Sequence, residues 1–315
     1  MLIPLKKSLH IFFLLFLLFF SLTGTRILEG LNYESSRTFD TLWNFGHLLL
    51  FFYYNYLLIH LRPGFKNKSW LMRVFIVFGL TTLFGFGIEI FQQSLMGGKA
   101  DLSDIAKNYL GALLAFIIFW TNKKEKWLKG SLYLVLSVLL VIEIKPVVAT
   151  ISDEIESYKQ FPVLADFESD IELERLSTTT NPLEISDDYS SHGEHSLKVE
   201  FIPRNYSTLS LNYFPRDWQG YSFIKFDIYN PGEELTIICR INDREHREHG
   251  NVYQDRFNKE IILISGWNNI QIDLAIVRNA PATRRMNLKN VLNWAIFTVK
   301  LPEKRIVFLD YIRLE

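Results

Sequence analysis

Six residues in the first half of the chain are of types that transfer protons or bind ions. They are His47, Glu89, Gln92, Lys99, Asp104 and Asn108. Residues three or four positions apart share one face of a helix, so Glu89 with Gln92, and Asp104 with Asn108, each form a polar face. An ionisable group inside a membrane helix costs about 2.5–3.5 kcal/mol and usually faces the interior of a bundle. The pattern predicts a shared polar site; the alternative is that these groups cap helix ends, with Asp104 as an N-cap.

The elements that would position these residues are apolar segments long enough to cross a bilayer, which takes about 17–25 residues per helix. We predict an all-α transmembrane domain over residues 1–148, followed by a linker over 149–160. The five predicted spans are residues 9–28, 41–61, 70–92, 104–120 and 128–144. No small-x-small cleavage site follows the first span, which favours a retained anchor over a signal peptide. The fifth span is predicted to end before Lys145 and Pro146.

Basic residues beside these spans predict their orientation, because Lys and Arg in short loops resist translocation. They are concentrated on alternate loops: Lys6, Lys7, Arg62, Lys66, Lys68, Arg73, Lys123, Lys124, Lys126 and Lys129. With five crossings, the N-terminus would be cytoplasmic and the C-terminal domain would lie outside the cytoplasm. The sequence therefore predicts a multi-pass protein of the cell membrane, with the lipid bilayer as its first partner.

The polar residues of the first half also form a recognisable motif. The motif consists of His47 in an aromatic span, Glu89-x-x-Gln92, Gly98-Lys99, Asp104 and Asn108-x-x-Gly111. Over about residues 9 to 122 it resembles the VanZ-like family, a small membrane domain named for a protein linked to glycopeptide antibiotic resistance. Lys99 stands where that family usually has an arginine, and the family's Asp-Lys pair before the histidine is missing. The resemblance implies a shared polar site without identifying its chemistry.

The second half alternates apolar and polar residues, which is typical of half-buried strands. The predicted apolar faces include Leu197, Val199 and Phe201; Ile224, Phe226 and Ile228; Leu235, Ile237, Cys239 and Ile241; Ile270, Ile272 and Leu274; Ala295, Phe297, Val299 and Leu301; and Ile306, Phe308, Asp310, Ile312 and Leu314. Trp218, Trp267 and Trp294 are expected in the core. Many short strands without intervening helices predict an all-β antiparallel sandwich, a jelly roll, over residues 161–315.

Several short motifs of this half resemble galactose-binding-like jelly rolls found among carbohydrate-binding modules. They are Asp166-Phe167-Glu168, His192-Gly193-x-x-Ser196-Leu197, Asp217-Trp218-x-Gly220-Tyr221, Gly266-Trp267-Asn268 and Leu309-Asp310-Tyr311-Ile312. The resemblance covers about residues 163 to 315. It implies glycan binding, and a structural calcium in some members.

A polar strand end and loop in this half is the predicted ligand site. Its residues are Arg240, Asp243, His246, Tyr253, Asp255, Arg256 and Asn258, with Arg284 and Arg285 as a clamp for an anionic group. Carboxylates, amides and guanidinium groups around an aromatic ring suit sugar hydroxyls and ring faces. The equally weighted alternative is a solvated hairpin with local salt bridges. A zinc site at His246 and His249 is disfavoured because no cysteine or third histidine accompanies them.

Asp310 is expected on the apolar face of the last strand, where an unpaired carboxylate would be costly. One hypothesis is a structural calcium shared with Glu168, and the favoured alternative is an arginine or backbone N–H partner. We expect no other cofactor.

The balance of 34 basic and 34 acidic residues argues against a nucleic-acid partner, and the lone cysteine, Cys239, excludes an intrachain disulfide. The leading hypothesis is a non-enzymatic envelope protein whose outer sandwich binds a glycan or glycolipid. One alternative is an intramembrane enzyme acting on a lipid-linked substrate, with His47 as acid or base and Glu89 or Asp104 as its partner. The other is a membrane-anchored scaffold. The sequence contains no signal for an oligomeric state.

Overall fold

The computed structural model describes residues 15, 37–62, 64–96, 102–119, 126–180 and 182–315. The chain divides into two compact units, Met1–Thr150 and Ile151–Glu315. The first unit is helical and the second is an antiparallel β-sandwich.

Four helices account for most of the described residues in the first unit. They are α1 (Arg37–Leu61), α2 (Trp70–Met96), α3 (Leu102–Ile118) and α4 (Lys126–Gln160), with a short 3-10 turn at Phe65–Asn67. Two stretches within the described helices are long and apolar enough to cross a membrane, Trp70–Phe91 and Gly130–Gln160. The predicted span over residues 9–28 lies outside the described residues, apart from residue 15. The five-span bundle therefore stays a prediction.

Helix α4 continues through Lys145 and Pro146, where the sequence predicted its end, and reaches Gln160. The segment 149–160, expected to be a linker, is thus helical. A proline inside a helix removes one backbone hydrogen bond, and side-chain contacts further along can offset that loss. Here the last turns bury Asp153 and Ser157, and Asp153 forms an ion pair with Arg175 at 2.6 Å within the second unit.

Small residues allow close packing among α1, α2 and α3. A Cβ atom at Gly111 in α3 would lie 2.3 Å from the carbonyl oxygen of Leu48 in α1. A Cβ atom at Gly85 in α2 would lie 2.9 Å from the Asn108 side chain. Glycine at both positions therefore brings the backbones close enough for short polar side chains to meet.

Eleven strands form the two sheets of the second unit, with two short helices between strands. The strands are β1 (Val163–Ala165), β2 (Leu176–Thr178), β3 (Glu184–Ser186), β4 (Ser196–Phe201), β5 (Tyr206–Leu211), β6 (Phe223–Asn230), β7 (Leu235–Asp243), β8 (Phe257–Leu263), β9 (Gly266–Asp273), β10 (Val291–Val299) and β11 (Arg305–Leu314). The helices are α5 (Arg244–Glu248) and α6 (Leu274–Arg278). The first sheet has the order β3-β4-β11-β6-β9, with β1 also paired to β11, and the second has the order β2-β5-β10-β7-β8.

The core lies between the two sheets and confirms the predicted apolar faces of β4, β6 and β7, which are buried. Trp218 and Trp294 are also fully buried, as predicted. Trp267 is 37% exposed, so its expected core position is wrong. Leu274 is buried, but it begins α6 instead of ending a strand.

The predicted face of β10 is wrong. Trp294 and Ile296 belong to the core cluster, so their neighbours Ala295 and Phe297 point to the outer face of the second sheet. Both outer residues are nevertheless buried by other side chains, at 0% and 6% exposure. Alternation alone therefore did not show which apolar set faces the other sheet, because β10 is apolar on both faces.

Strand β11 contains a bulge that changes the face of its side chains part-way along. Val307 and Leu309 belong to the core, as do Ile312 and Leu314. The register with β6 shifts between Asp310 and Arg313, and Tyr311 between them has a φ of 49°. Asp310 consequently lies on the face opposite the core, where it is still 0% exposed. A bulge adds one residue to a strand, which breaks the period of two on which the prediction depended.

Candidate functional site

Helices α1 and α3 of the first unit bring His47, Asp104 and Asn108 together. Nδ1 of His47 lies 3.2 Å from Oδ1 of Asn108. Since an amide oxygen can only accept, Nδ1 carries the proton in this contact, and the other ring nitrogen faces Asp104. Nε2 of His47 lies 3.7 Å from Oδ2 of Asp104, while Nζ of Lys107 lies 3.5 Å from Oδ1 of the same carboxylate. Asn108 thus orients the imidazole toward a carboxylate.

Glu89 of α2 completes this cluster. One ligand atom each from His47, Glu89 and Asp104 lies within 4.8 Å of the others, and among the described residues no other such group of three could hold a metal ion. His47 is 0% exposed and Glu89 is 6% exposed. Such an arrangement can transfer a proton or bind a cation. The side chain of Gln92 and all of Lys99 lie outside the described residues.

In the second unit, four of the predicted ligand residues form an internally paired network. Arg284 donates to both oxygens of Asp243, at 2.6 and 2.7 Å, and to both oxygens of Asp255, at 2.7 and 2.8 Å. Nδ1 of His246 lies 3.4 Å from Oδ2 of Asp255, and Nδ1 of His249 lies 3.6 Å from that oxygen. Arg284 therefore holds the loop onto the sheet, and Arg285 beside it is exposed.

The protonation of this network follows from its contacts. Hydrogen bonds from Arg284 hold the pKa of Asp255 below its ordinary value. The carboxylates raise the pKa of Arg284, mainly through its hydrogen bonds to Asp243 and Asp255. Burial lowers the pKa of His246. Asp255 is thus ionised, and Arg284 binds both carboxylates, as expected of the local salt bridges that were the alternative for this loop.

Arg240, Arg256 and Asn258 lie on the outer face of the second sheet and are not part of that network. Arg240 stands opposite Asn258 across the β7–β8 pair, and Arg256 directly precedes β8 in extended backbone. Nε of Arg240, Nε of Arg256 and Oδ1 of Asn258 are all buried atoms without a hydrogen-bond partner among the described residues. Buried polar atoms are normally hydrogen-bonded, so three on one face make it a candidate binding surface.

Two exposed tyrosines flank these polar groups. Tyr253 is 65% exposed, and its ring lies 5.2 Å from the guanidinium carbon of Arg256. Tyr206 is 63% exposed, and its ring lies 6.2 Å from that of Phe297 on the same face. Tyr206 was not predicted. Its outward position in the alternating segment Tyr206–Leu211 was the available signal.

An open depression of about 470 Å³ adjoins this face. Asn258 lines it, together with Phe257, Ala275, Ile276, Asn279 and Ala280. Its volume lies within the range of about 300–1,000 Å³ that is common for small-ligand pockets.

Asp310 and Glu168, the residues predicted to bind calcium, each accept backbone hydrogen bonds from the turn at residues 191–195. Oδ2 of Asp310 accepts the backbone N–H groups of Ser191 and His192, at 2.6 and 2.9 Å. Oε1 of Glu168 accepts those of Glu194 and His195, both at 3.0 Å. The structure thus provides the backbone N–H partner that was the alternative to calcium, and a calcium ion at these residues stays a prediction.

The pKa values of these two carboxyls shift in opposite directions, although burial raises both. It raises the pKa of Asp310 despite the N–H donors around it. It acts in the same direction on Glu168, but the hydrogen bonds from His195 and Glu194 outweigh it and hold the pKa of Glu168 below its ordinary value.

The C-terminal half resembles carbohydrate-binding modules. The family 11 module from Clostridium thermocellum, in complex with a beta-1,3-1,4-mixed-linked tetrasaccharide, is 17% identical with a TM-score of 0.37. That match covers 48% of this chain and 93% of the module. An exo-beta-agarase is 15% identical with a TM-score of 0.40, over 49% of this chain and 24% of the agarase. The cellulose-specific module CBM28 is 16% identical with a TM-score of 0.30, over 42% of this chain and 79% of that module. No family model and no curated protein matches the chain.

Proposed function

We propose that the β-sandwich binds a glycan on the outer face of its second sheet. The observation that carries this proposal is the set of buried polar atoms without partners at Arg240, Arg256 and Asn258. Sugar hydroxyls supply both donors and acceptors, so one ligand can satisfy the two guanidinium groups and the amide together.

Exposed aromatic rings support a sugar ligand over a peptide strand. Tyr206 and Tyr253 present large rings at the same face as the two arginines. Such rings pack against the C–H faces of sugar rings, while the polar groups between them fix the orientation of the hydroxyls. Strand addition by a peptide would instead use the edge strands β2 and β8, not the face of the sheet.

The helical unit would place this binding face in the cell envelope. Two stretches are long and apolar enough to cross a membrane, and the basic residues beside the predicted spans support an N-terminus in the cytoplasm. We propose five crossings in a VanZ-like domain, with the sandwich outside the cytoplasm.

The glycan proposal is tested with the full-length protein in detergent on an array of neutral and charged polysaccharides. We expect binding to at least one, and a loss of about tenfold or more in affinity for Tyr253→Ala, since stacking platforms carry much of such binding. Tyr189→Ala is the control, because Tyr189 stacks on Tyr229 of the first sheet, with ring centroids 3.9 Å apart. Binding to no polysaccharide, or binding lost only in the control, would overturn the proposal.

A second candidate function is chemistry on a lipid-linked substrate at His47, Glu89 and Asp104. Two observations favour it: the three ligand atoms lie within 4.8 Å of one another, and an open apolar depression of about 320 Å³ lies on the same unit. Tyr54, Leu83, Phe84, Ile88 and Phe91 are among the residues that line the depression. An acyl or prenyl chain fits such a lining.

This candidate is tested by complementing a deletion strain. We expect His47→Ala and Glu89→Gln to abolish complementation. Ser94→Ala should retain it, since the Ser94 hydroxyl bonds within the described residues to Ile90 of its own helix. If both site variants insert normally and complement fully, the polar cluster has no catalytic role.

A further inference from the structure

We infer that the glycan is acidic, with its carboxylate, sulfate or phosphate group bound between Arg240 and Arg256. This inference rests on the proposed glycan-binding function and names the chemical class of its ligand.

Arg240 and Arg256 have no carboxylate partner among the described residues, in contrast to three other arginines of the sandwich that are at least partly buried. Arg175 pairs with Asp153 at 2.6 Å, Arg284 with Asp243 at 2.6 Å, and Arg313 with Asp227 at 3.4 Å. Within the described part of the chain, neither Arg240 nor Arg256 lies within 4.0 Å of an acidic side chain. A guanidinium shielded from water without a counterion is costly, so these two positions favour an external anion.

Both guanidinium groups keep donors available for such an anion. Arg240 donates through Nη2 to Oδ1 of Asn293 at 2.9 Å, and its buried Nε has no acceptor among the described residues. Arg256 lies over the Tyr253 ring, and no hydrogen bond of its side chain occurs within the described ranges. A planar guanidinium matches a carboxylate, sulfate or phosphate through two parallel N–H donors.

The two positive charges act on each other. Burial lowers the pKa of Arg240, and the charge of Arg256 lowers it further. Burial also lowers the pKa of Arg256. An anion between the two groups would relieve both effects, whereas a neutral sugar would relieve neither.

The nearby carboxylates do not offset this positive face. Asp243 and Asp255 are already bound by Arg284. Glu260 follows Asn258 on the same side of β8, but it is exposed and forms no ion pair with either arginine. The face therefore presents cationic donors in excess of anionic acceptors.

The test compares polysaccharides that differ only in charge, using the full-length protein in detergent and calorimetry at low and high salt. One pair is polygalacturonate and its methyl ester, which masks the carboxylate. The second pair is dextran sulfate and dextran, and the third is phosphorylated dextran and dextran. A broader panel of neutral and acidic polysaccharides covers other backbones.

We expect at least one acidic ligand to bind tenfold or more tightly than its uncharged counterpart, with affinity falling as salt rises. Arg240→Gln and Arg256→Gln should remove that preference. Lys198→Gln should retain it, since Lys198 pairs with Glu184 on the first sheet. The charge and salt comparisons use the unchanged protein, so they hold even if a variant fails to fold.

Equal affinity for charged and uncharged ligands, or a charge preference unaffected by both arginine variants, would overturn the inference while leaving glycan binding intact. Binding to no polysaccharide at all would overturn both.

Discussion

Gly111 of α3 lies so close to Leu48 of α1 that an added Cβ atom would be 2.3 Å from the Leu48 carbonyl oxygen. It would also lie 2.8 Å from the backbone nitrogen of Phe52. Real Cβ atoms do not approach backbone this closely, so the two helices would have to separate. His47 precedes Leu48, and Asn108 lies one turn before Gly111, so this contact also sets the distance between the polar side chains.

Gly111→Ala should therefore destabilise the helical unit by about 1–3 kcal/mol, the usual cost of overpacking. Gly79→Ala is the matched control, because nothing lies within 4 Å of the added Cβ in α2. We expect that control to change stability by less than about 1 kcal/mol, in the stabilising direction set by helix propensity. The measurement is thermal unfolding of the full-length variants in detergent. Equal melting temperatures for both variants would contradict the proposed role of Gly111.

Asp153→Ala should destabilise the sandwich by about 3–5 kcal/mol, because it leaves the guanidinium of Arg175 buried without its main partner. Both side chains are nearly buried, and three N–H···O contacts of 2.6–3.1 Å join them. The control is Glu156→Ala in the same helix, which removes an exposed ion pair with Lys159 and should cost less than about 1 kcal/mol. Pulse proteolysis in urea, read from a C-terminal epitope, measures the difference. Similar urea midpoints for the two variants would show that the buried pair is dispensable.

Helical spacing predicts that Asp104 and Asn108 share one face of α3, because they lie one turn apart. It could not predict that Asn108 orients the His47 ring, since that contact depends on the distance between two helices. The same limit applies to Arg284. The sequence showed that Arg284 and several carboxylates occur in this half of the chain. Only the tertiary structure shows that Asp243 and Asp255 bind Arg284 from two sides.

In the sandwich, the alternation of apolar and polar residues identified most strands. It failed where the backbone contains a bulge or where a strand is apolar on both faces. Ala295 and Phe297 were placed inward because they are apolar, yet Trp294 and Ile296 fill the core. The bulge at Tyr311 reverses the face of every residue on one side of it. A bulge has no strong sequence signal here, so the position of Asp310 could not be derived from alternation.

Glu172 should make the stability of the sandwich fall as pH rises from about 4.5 to 7. Burial raises the pKa of this carboxyl from 4.5 to about 7, despite Arg175 at 3.8 Å. Across that window the folded state keeps a proton that the unfolded chain has lost, so folding becomes less favourable with rising pH. The free energy of unfolding should decline by roughly 2–3 kcal/mol through this group, and the decline should disappear in Glu172→Gln. Urea titrations between pH 4.5 and 8 measure it.

The matched control for that titration is Glu174→Gln, two residues away and exposed. It should leave the pH dependence unchanged. A wild-type curve that is flat over this range, or identical curves for the two variants, would show that Glu172 is ionised throughout.

Asp310→Ala should loosen the turn at Ser191 and His192 and destabilise the sandwich by about 2–4 kcal/mol. The variant removes the acceptor of two backbone N–H groups and of the Ser191 hydroxyl, and such donors are costly to leave buried and unsatisfied. Asp310→Asn keeps an acceptor oxygen and should cost less, since burial already disfavours the charged carboxyl. Hydrogen exchange at the two amides measures the effect, with tenfold or faster exchange expected for the alanine variant. Asp187→Ala, at an exposed site on the preceding loop, should leave these amides protected. If the alanine variant exchanges at the wild-type rate, another group holds the turn.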